Sequence, residues 1–264
     1  MFRNLANLLK YRQLIQSLVA RELKARYRGS VLGFFWSFLN PLLMLGIYSF
    51  VFSVVLPNRA PDLKPYSLFM FCGILPWTWF SSSLLESSNV LISGGNLIKK
   101  VLFPAEVLPI VTVLANMVHF FLGLPILLAF AVYFKQSLDL MDLFWFPVVV
   151  LVQLVFTLGL ALIVSALTVH FRDFRDLLQS IVMFWFFATP IIYSWQDPNV
   201  IKYHRFFDLN PFTHLAVSYQ EILFFRGSFG HARGLLALGA ASVLLFFACY
   251  WFFDRLRDSF AEAV

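Results

Sequence analysis

The ionisable residues that could do chemistry within the apolar runs of this sequence are few and far apart. Glu86 and His119 lie inside such runs, and Glu106 lies at the start of one. Ionisable residues at such places are typical of an ion-coupled carrier or a membrane enzyme. A lone glutamate near a helix end, however, usually pairs with another group, and a lone histidine usually finds a hydrogen-bond partner. A direct role of these residues in transport therefore stays an open alternative.

Sequence motifs of catalysis and nucleotide binding are missing. The chain has no HExxH, no GxSxG, no carboxylate pair for acid–base work and no GxxxxGKS or GxxxxGKT loop. It therefore cannot bind and hydrolyse ATP in that way by itself. Cys72 and Cys249 lie in apolar runs without metal or redox spacing, which is typical of packing residues. We predict no catalytic residue, no metal site and no cofactor bound by this chain.

The composition indicates a membrane protein. Hydrophobic residues make up 60% of 264 residues and charged residues 13%, whereas soluble domains carry about 25% charged residues. The net charge of +6 is scattered between apolar blocks and forms no continuous basic face, which excludes nucleic acid as a partner. The first long apolar run begins near Val31, too late for an ordinary signal peptide.

Six runs are long enough to cross a bilayer, which takes about 20 mostly apolar residues. The predicted spans cover residues 31–56, 67–92, 107–134, 144–169, 177–195 and 234–253. An even number of spans places both termini on one side. Thirteen of the 20 lysines and arginines fall in the segments on that side, which predicts cytoplasmic termini in a multi-pass membrane protein.

Residues 1–30 are predicted to contain an amphipathic helix in the cytoplasmic interface, ahead of the membrane domain of residues 31–264. One face carries Lys10, Gln13, Ser17, Arg21, Lys24 and Arg28, and the other carries Leu14, Ile15, Leu18, Val19, Leu23 and Tyr27. This pattern suits a helix lying against lipid head groups. A bend into the first span is predicted at Gly29 and Gly33.

Aromatic rings are concentrated in the first and fifth predicted spans, including at depths that an interfacial belt does not explain. Ring faces can stack on sugar surfaces in weak contacts that tolerate sliding. Packing against lipid is the alternative for most single rings. We predict that five of them line a substrate channel around a two-fold axis between two copies of the chain. These residues are Phe34, Phe38, Tyr48, Trp185 and Tyr193.

The longest predicted outer connection, residues 196–233, contains a helix that is too short and too polar to span. Asn210 and Pro211 form a favourable helix start, and apolar residues follow at helical spacing. We interpret this helix as re-entrant or interfacial on the outer side of the membrane.

As a set, five stretches resemble the membrane subunit of type-2 ABC polysaccharide exporters, the permeases of O-antigen and wall teichoic acid. They are "RELKARYRGSVLGFFWSFLNPLL" at residues 21–43, "NLIKKVLFPAEVLP" at 96–109, "HFRDFRDLLQ" at 170–179, "FFATPIIYSW" at 186–195 and "NPF" at 210–212. The resemblance covers nearly the whole chain. It implies an all-α fold with six spans and an interface helix. It also implies a homodimer, a channel for a lipid-linked polysaccharide, and two copies of a separate ATPase subunit that binds ATP and Mg²⁺.

The resemblance also assigns roles by position. Two short inner segments, residues 96–103 and 171–178, would contact the ATPase, and residues 210–225 would form part of an outer gate. The coupling residues would be Lys99, Lys100, Arg172, Asp173, Arg175 and Asp176, and the gate residues Asn210, Pro211, Tyr219 and Gln220. Gln220 departs from the family pattern, where an arginine is expected. The alternatives are a type-2 ABC exporter of lipids or drugs, a proton-coupled carrier, and a membrane-embedded glycan-processing enzyme.

Overall fold

The computed structural model describes residues 10–55, 63–99, 103–134, 140–225 and 229–263, and in these ranges the chain is helical and has no β-strand. This confirms the predicted all-α class. The helices are α1 (Arg12–Arg26), α2 (Trp36–Phe50), α3 (Tyr66–Ser93), α4 (Gly95–Ile98), α5 (Val107–Tyr133), α6 (Leu140–Leu143), α7 (Phe146–His170), α8 (Phe174–Phe187), α9 (Pro198–Ile201), α10 (His204–Asp208), α11 (Pro211–Leu223) and α12 (Ala232–Ala263).

Four helices of the described residues are long and apolar enough to cross a membrane. They are α3, α5, α7 and the Ala232–Arg257 part of α12. These helices coincide with the second, third, fourth and sixth predicted spans. The chain is therefore a polytopic membrane protein with four candidate spans.

The fifth predicted span, residues 177–195, differs from the structure. Helix α8 has 14 residues and ends at Phe187, and the following residues are irregular. Pro190 is the physical reason, because proline lacks a backbone N–H and disfavours a helical conformation of the residue before it. Tyr193 therefore lies in an irregular segment and not in a helix, contrary to the prediction. We call residues 188–195 the broken segment.

The first predicted span also has a different construction. A 3-10 turn at Gly33–Phe35 leads into the 15-residue helix α2, and a π-helical turn at Val51–Val55 follows directly. The bend that precedes it contains Gly29 and Gly33, with φ angles of +80° and +50°. Residues that carry a side chain rarely adopt these left-handed backbone angles, which explains why glycine occupies both positions.

Helix α1 presents different residues to solvent and to the protein. The predicted polar face, from Lys10 to Arg28, is exposed at all six positions. On the other face Leu18 is buried against Val107 and Val111 at the start of α5. The position of this helix in the lipid interface stays a prediction.

Helix α3 lies at the centre of the bundle, packed against α5, α7 and α11. Phe80 is fully buried there among rings from three other helices. Its ring centroid lies 4.8 Å from that of Phe212, 5.2 Å from that of Trp185 and 5.7 Å from that of Phe156. This aromatic cluster joins α3 to α7, α8 and α11.

A second apolar cluster closes the end of the bundle that is predicted to be cytoplasmic. It contains Leu91, Leu108, Val169 and Phe253, from α3, α5, α7 and α12. At the same end Arg257 Nη1 lies 3.6 Å from Glu106 Oε1. The four long helices are therefore fixed to one another near the segments that are predicted to contact the ATPase.

Replacing the central ring of the aromatic cluster should destabilise the protein. We expect Phe80→Ala to lower the free energy of unfolding by about 3–5 kcal/mol, the usual cost of removing a packed aromatic side chain. The midpoint of thermal unfolding of the purified permease checks this. Phe144→Ala is the matched control, because Phe144 is 74% exposed. Equal losses in the two variants would contradict a packed role for Phe80.

Candidate functional site

The predicted channel residues do not share one environment. Phe38 and Tyr48 lie half-buried on α2, and the side chain of Phe34 lies outside the described part of the structure. Trp185 packs in the aromatic cluster, with its ring centroid 5.2 Å from that of Phe80. Tyr193 is half-buried in the broken segment and donates a hydrogen bond to the carbonyl of Phe187, at 3.0 Å. Their contact with a sugar stays a prediction.

Asn210 connects the predicted gate to the end of α8. Its Oδ1 accepts from the backbone N–H of Phe212, at 3.0 Å, which caps α11. The same oxygen accepts from Trp185 Nε1 at 2.7 Å. Its Nδ2 donates to the carbonyl of Ala188 and to Thr189 Oγ1, each at 3.0 Å. The Asn-Pro pair indicated a helix start, but this bridge to α8 could not be seen in the sequence.

The broken segment is buried at its centre and is held by side chains from two helices. Asn210 donates to the carbonyl of Ala188 and Gln220 Nε2 donates to the carbonyl of Pro190, at 2.8 Å. The hydroxyl of Tyr66, at the start of α3, donates to the carbonyl of Ile192. Three alternate carbonyls are thus satisfied without helical hydrogen bonds, as a buried irregular backbone requires.

Gln220 and Gly73 explain how closely this segment approaches α3. A Cβ on Gly73 would lie 3.1 Å from Ile191 Cγ2 and 3.4 Å from Gln220 Nε2. Ile191 and Gln220 are both fully buried. An arginine, which the resemblance leads one to expect at position 220, would bring a charge and a longer side chain into this site. The neutral amide fits the burial that is observed.

Helix α11 lies inside the bundle and not on its surface, which favours the re-entrant interpretation. Tyr219 is fully buried, and its ring centroid lies 5.9 Å from those of Phe120 and Phe146. Pro211 occupies the first turn of the helix, where its missing N–H costs nothing. The gate residues Asn210, Pro211, Tyr219 and Gln220 therefore belong to one element packed on α3, α5 and α7.

Sequence reasoning missed a group of histidines on the predicted outer side. His214 Nδ1 lies 2.8 Å from His231 Nε2, and His214 Nε2 lies 3.0 Å from the carbonyl of Asp208. Glu221 Oε2 accepts from the backbone N–H groups of Gly230 and His231, each at 3.0 Å. Burial lowers the pKa of His231 to about 4, and His214 adds to this effect while Asp208 opposes it. No motif links these residues in the sequence.

The predicted coupling residues lie on the surface at the opposite end. Arg172, Asp173, Arg175 and Asp176 are all exposed, where α7 ends and α8 begins. Lys99 is exposed at the end of α4, whereas Lys100 lies outside the described residues. These charges are thus available to a partner protein.

The lone ionisable residues Glu86 and His119 both have partners. Glu86 accepts from Arg26 and from Asn116, and His119 Nδ1 lies 3.4 Å from the hydroxyl of Tyr27. In the described ranges no three His, Cys, Asp or Glu residues are grouped closely enough to hold a metal ion.

The histidine pair should make stability depend on pH. Because the fold lowers the pKa of His231, its neutral form stabilises the protein above about pH 6.5, and this contribution is lost as the pH falls towards 4. We expect His231→Gln to lower the free energy of unfolding by about 1–2 kcal/mol at pH 7.5 and by much less at pH 4.5. Thermal unfolding at both pH values checks this. His204→Gln is the control, because His204 stacks on Trp195 outside the pair. A cost that does not change with pH would contradict the prediction.

Comparison with known proteins agrees with this architecture. The family model described as ABC-2 type transporter matches residues 13–224. The chain is 42% identical over 267 residues to the O-antigen export system permease protein RfbA of Myxococcus xanthus, and the match covers 100% of both chains. Two proteins of Klebsiella pneumoniae with the same name are 32% and 30% identical over 249 residues, covering 94% of each chain. These matches show that the chain belongs to the ABC-2 type transporter family.

Proposed function

We propose that two copies of this chain form a channel through which a lipid-linked polysaccharide of the O-antigen type crosses the bacterial inner membrane. The observation that carries this proposal is the end-to-end similarity to an O-antigen export permease, at 42% identity. The chain is the membrane subunit of an ABC polysaccharide exporter. It is a permease and not an enzyme, and ATP hydrolysis takes place on a separate subunit, which supplies the sites for ATP and Mg²⁺.

We propose six crossings, with both termini in the cytoplasm. Four are the long helices, and α2 with its π-helical turn is the fifth crossing. The sixth is α8 continued by the broken segment. The 14 residues of α8 reach only about 21 Å, short of the roughly 30 Å of a hydrocarbon core. The satisfied carbonyls of the broken segment support this, because irregular backbone is tolerated at membrane depth where protein covers it.

Two uncovered apolar faces support a homodimer. In α8 only Leu178 and Val182 are buried among the described residues of the same chain. Five other apolar residues of this helix are exposed, namely Leu177, Ile181, Met183, Phe184 and Phe187. On α2 the exposed apolar residues include Leu42, Leu43, Ile47 and Phe50. A single bundle fills its own interior, so a passage as wide as a glycan is better placed between two copies.

The channel wall that we propose follows these faces. Phe38 and Tyr48 on α2 keep the lining role predicted for them, because they are half-buried next to its exposed face. We assign Trp185 to the support of the gate, since its indole N–H is bound to Asn210. Tyr193 belongs to the broken segment and is placed beside the channel with it.

The substrate class can be tested on the full complex. The permease is purified with its co-encoded ATPase, reconstituted in vesicles, and offered a lipid-linked O-antigen glycan, phospholipid alone or an amphiphilic drug. We expect the glycan to stimulate ATP hydrolysis and to be exported, and the other two to do neither. Stimulation by phospholipid or drug without glycan export would favour the lipid or drug exporter instead.

The exposed arginines of the inner surface should be needed for coupling. We expect Arg172→Ala together with Arg175→Ala to lower glycan-stimulated hydrolysis and export about tenfold or more, because two charge-assisted contacts to the ATPase are lost. The thermal unfolding midpoint should stay unchanged, since both side chains are exposed. The matched control removes two exposed basic residues from the predicted outer side, Lys202→Ala with Arg205→Ala. Full export by the Arg172 and Arg175 variant would remove them from the coupling surface.

A further inference from the structure

A cavity of about 240 Å³ lies between α1, α2, α3 and α5. Apolar residues of α2, among them Trp36, Pro41 and Met44, form part of its lining. The polar part of the lining comprises Arg26, Tyr27, Ser37, Asn40, Thr78, Ser82, Glu86, Asn116 and His119. The proposed function above gives no role to this cavity or to its charged residues.

Arg26, at the end of α1, connects that helix to two long helices of the bundle. Its Nη1 donates to Asn116 Oδ1 of α5 at 3.0 Å, and its Nη2 donates to Glu86 Oε2 of α3. Asn116 Nδ2 donates to the same Glu86 oxygen at 2.7 Å. These three residues, which we call the polar joint, form a closed triangle of hydrogen bonds. The planar fork of arginine can hold both acceptors at once, whereas a lysine ammonium offers only a point charge.

The next residue, Tyr27, extends this connection to α2 and again to α5. Its hydroxyl accepts a hydrogen bond from Ser37 Oγ at 2.7 Å and lies 3.4 Å from His119 Nδ1. The rings of Tyr27 and His119 meet edge to face, with 5.9 Å between their centroids. Arg26 at the end of α1 and Tyr27 directly after it therefore contact α2, α3 and α5 through polar groups.

Few side chains of α1 and α2 are fully buried, and α1 is held to α5 by one small apolar cluster around Leu18. Leu18 is buried in α1, and Ser37 and Leu45 are the buried residues of α2. Closely packed apolar surfaces resist sliding because their side chains interdigitate. Hydrogen bonds beside a cavity can instead be exchanged for water at small net cost. The ion pair of the joint is accessible enough for this, since Glu86 is 40% and Arg26 is 22% exposed, whereas Asn116 is buried.

We propose that the polar joint of Arg26, Glu86 and Asn116 opens and closes during the transport cycle, and that the Arg26 end of α1 and the start of α2, which the Tyr27–Ser37 hydrogen bond links, shift relative to α3 and α5 when it opens. Arg26 is then a positioning residue for transport and contacts no substrate. The proposal rests on the proposed function above, because α2 is one of the two helices assigned to the channel wall.

Removing one or both partners of the charge pair separates a role in coupling from a role in stability. The variants are Arg26→Met, Glu86→Gln and the double variant, each in the reconstituted complex with the ATPase. Each single change breaks the ion pair between Arg26 and Glu86 and should lower the unfolding temperature, and the double variant should recover part of this loss. The loss should be smaller in Glu86→Gln, because Arg26 keeps Glu22, 3.6 Å from its Nε, as a counter-charge. We expect all three to export at least about fivefold less glycan per ATP hydrolysed. The amount of glycan that Arg26→Lys exports per ATP hydrolysed should lie between the amounts for these three variants and for the wild type.

The control is Arg21→Met, which removes an arginine from the exposed face of the same helix. This variant should export as much glycan per ATP hydrolysed as the wild type does. Wild-type export per ATP in Arg26→Met would overturn the proposal. A double variant that regains both stability and export per ATP would overturn it as well, because the joint would then be structural only.

A distance measurement tests the joint independently of transport. Spin labels are attached to cysteines introduced at Leu42 of α2 and Val132 of α5, both exposed, while the native Cys72 and Cys249 are buried. Arg26→Met should broaden the distribution of distances between the two labels. An unchanged distribution of distances in Arg26→Met would overturn the proposal that the polar joint holds these helices together. A wild-type complex that hydrolyses ATP but exports no glycan would contradict the proposed function, and the label distances would then decide about the joint alone.

Discussion

A polypeptide in the hydrocarbon layer has no water to pair its backbone, so each interruption of a helix there depends on side chains of the protein. In the proposed arrangement of six crossings, this interruption follows α8, where Pro190 ends the helical pattern. Asn210, Gln220 and Tyr66 supply donors to three alternate carbonyls of the broken segment. Without these donors each buried carbonyl would cost about 1–3 kcal/mol. The position of α11 inside the bundle follows from this need, because two of the three donors are carried by α11 or its cap.

The same interactions make the outer part of the protein one unit. Asn210 caps α11 and also accepts from Trp185, so the start of the gate helix is fixed to the end of α8. Gly73 lets the broken segment approach α3 without a side chain between them. The end of α8 and the start of α11 are therefore joined directly by hydrogen bonds.

The helices of the bundle form two groups that differ in how many side chains they bury. Helices α3, α5, α7 and α12 bury aromatic and aliphatic side chains against one another, with Phe80 at the centre and a second apolar cluster at the predicted cytoplasmic end. Helices α1, α2 and α8 bury few side chains, and α2 and α8 also expose apolar residues. The first group has the interdigitated packing of a rigid core. The second group is suited to contact with lipid, with a second copy or with a passing substrate.

Much of this protein was determined by its sequence alone. The apolar runs and the scarcity of charge are one-dimensional properties, and they predicted the four long helices almost to their ends. The family could also be identified, because its motifs are short and keep their order along the chain. Pro190 was visible too, but hydropathy averages over a window, so a single proline did not prevent the prediction of a continuous fifth span.

Only the tertiary structure decided which polar residues meet. Arg26, Glu86 and Asn116 are separated by 60 and 30 positions, and His214 and His231 by 17. No periodicity connects residues on different helices, because their contact depends on how the helices cross. The structure likewise showed that Trp185 packs among rings and binds Asn210, whereas its depth in a predicted span had favoured the channel wall. Local patterns decide what each segment is, and the partners of its side chains follow from the packing of the whole chain.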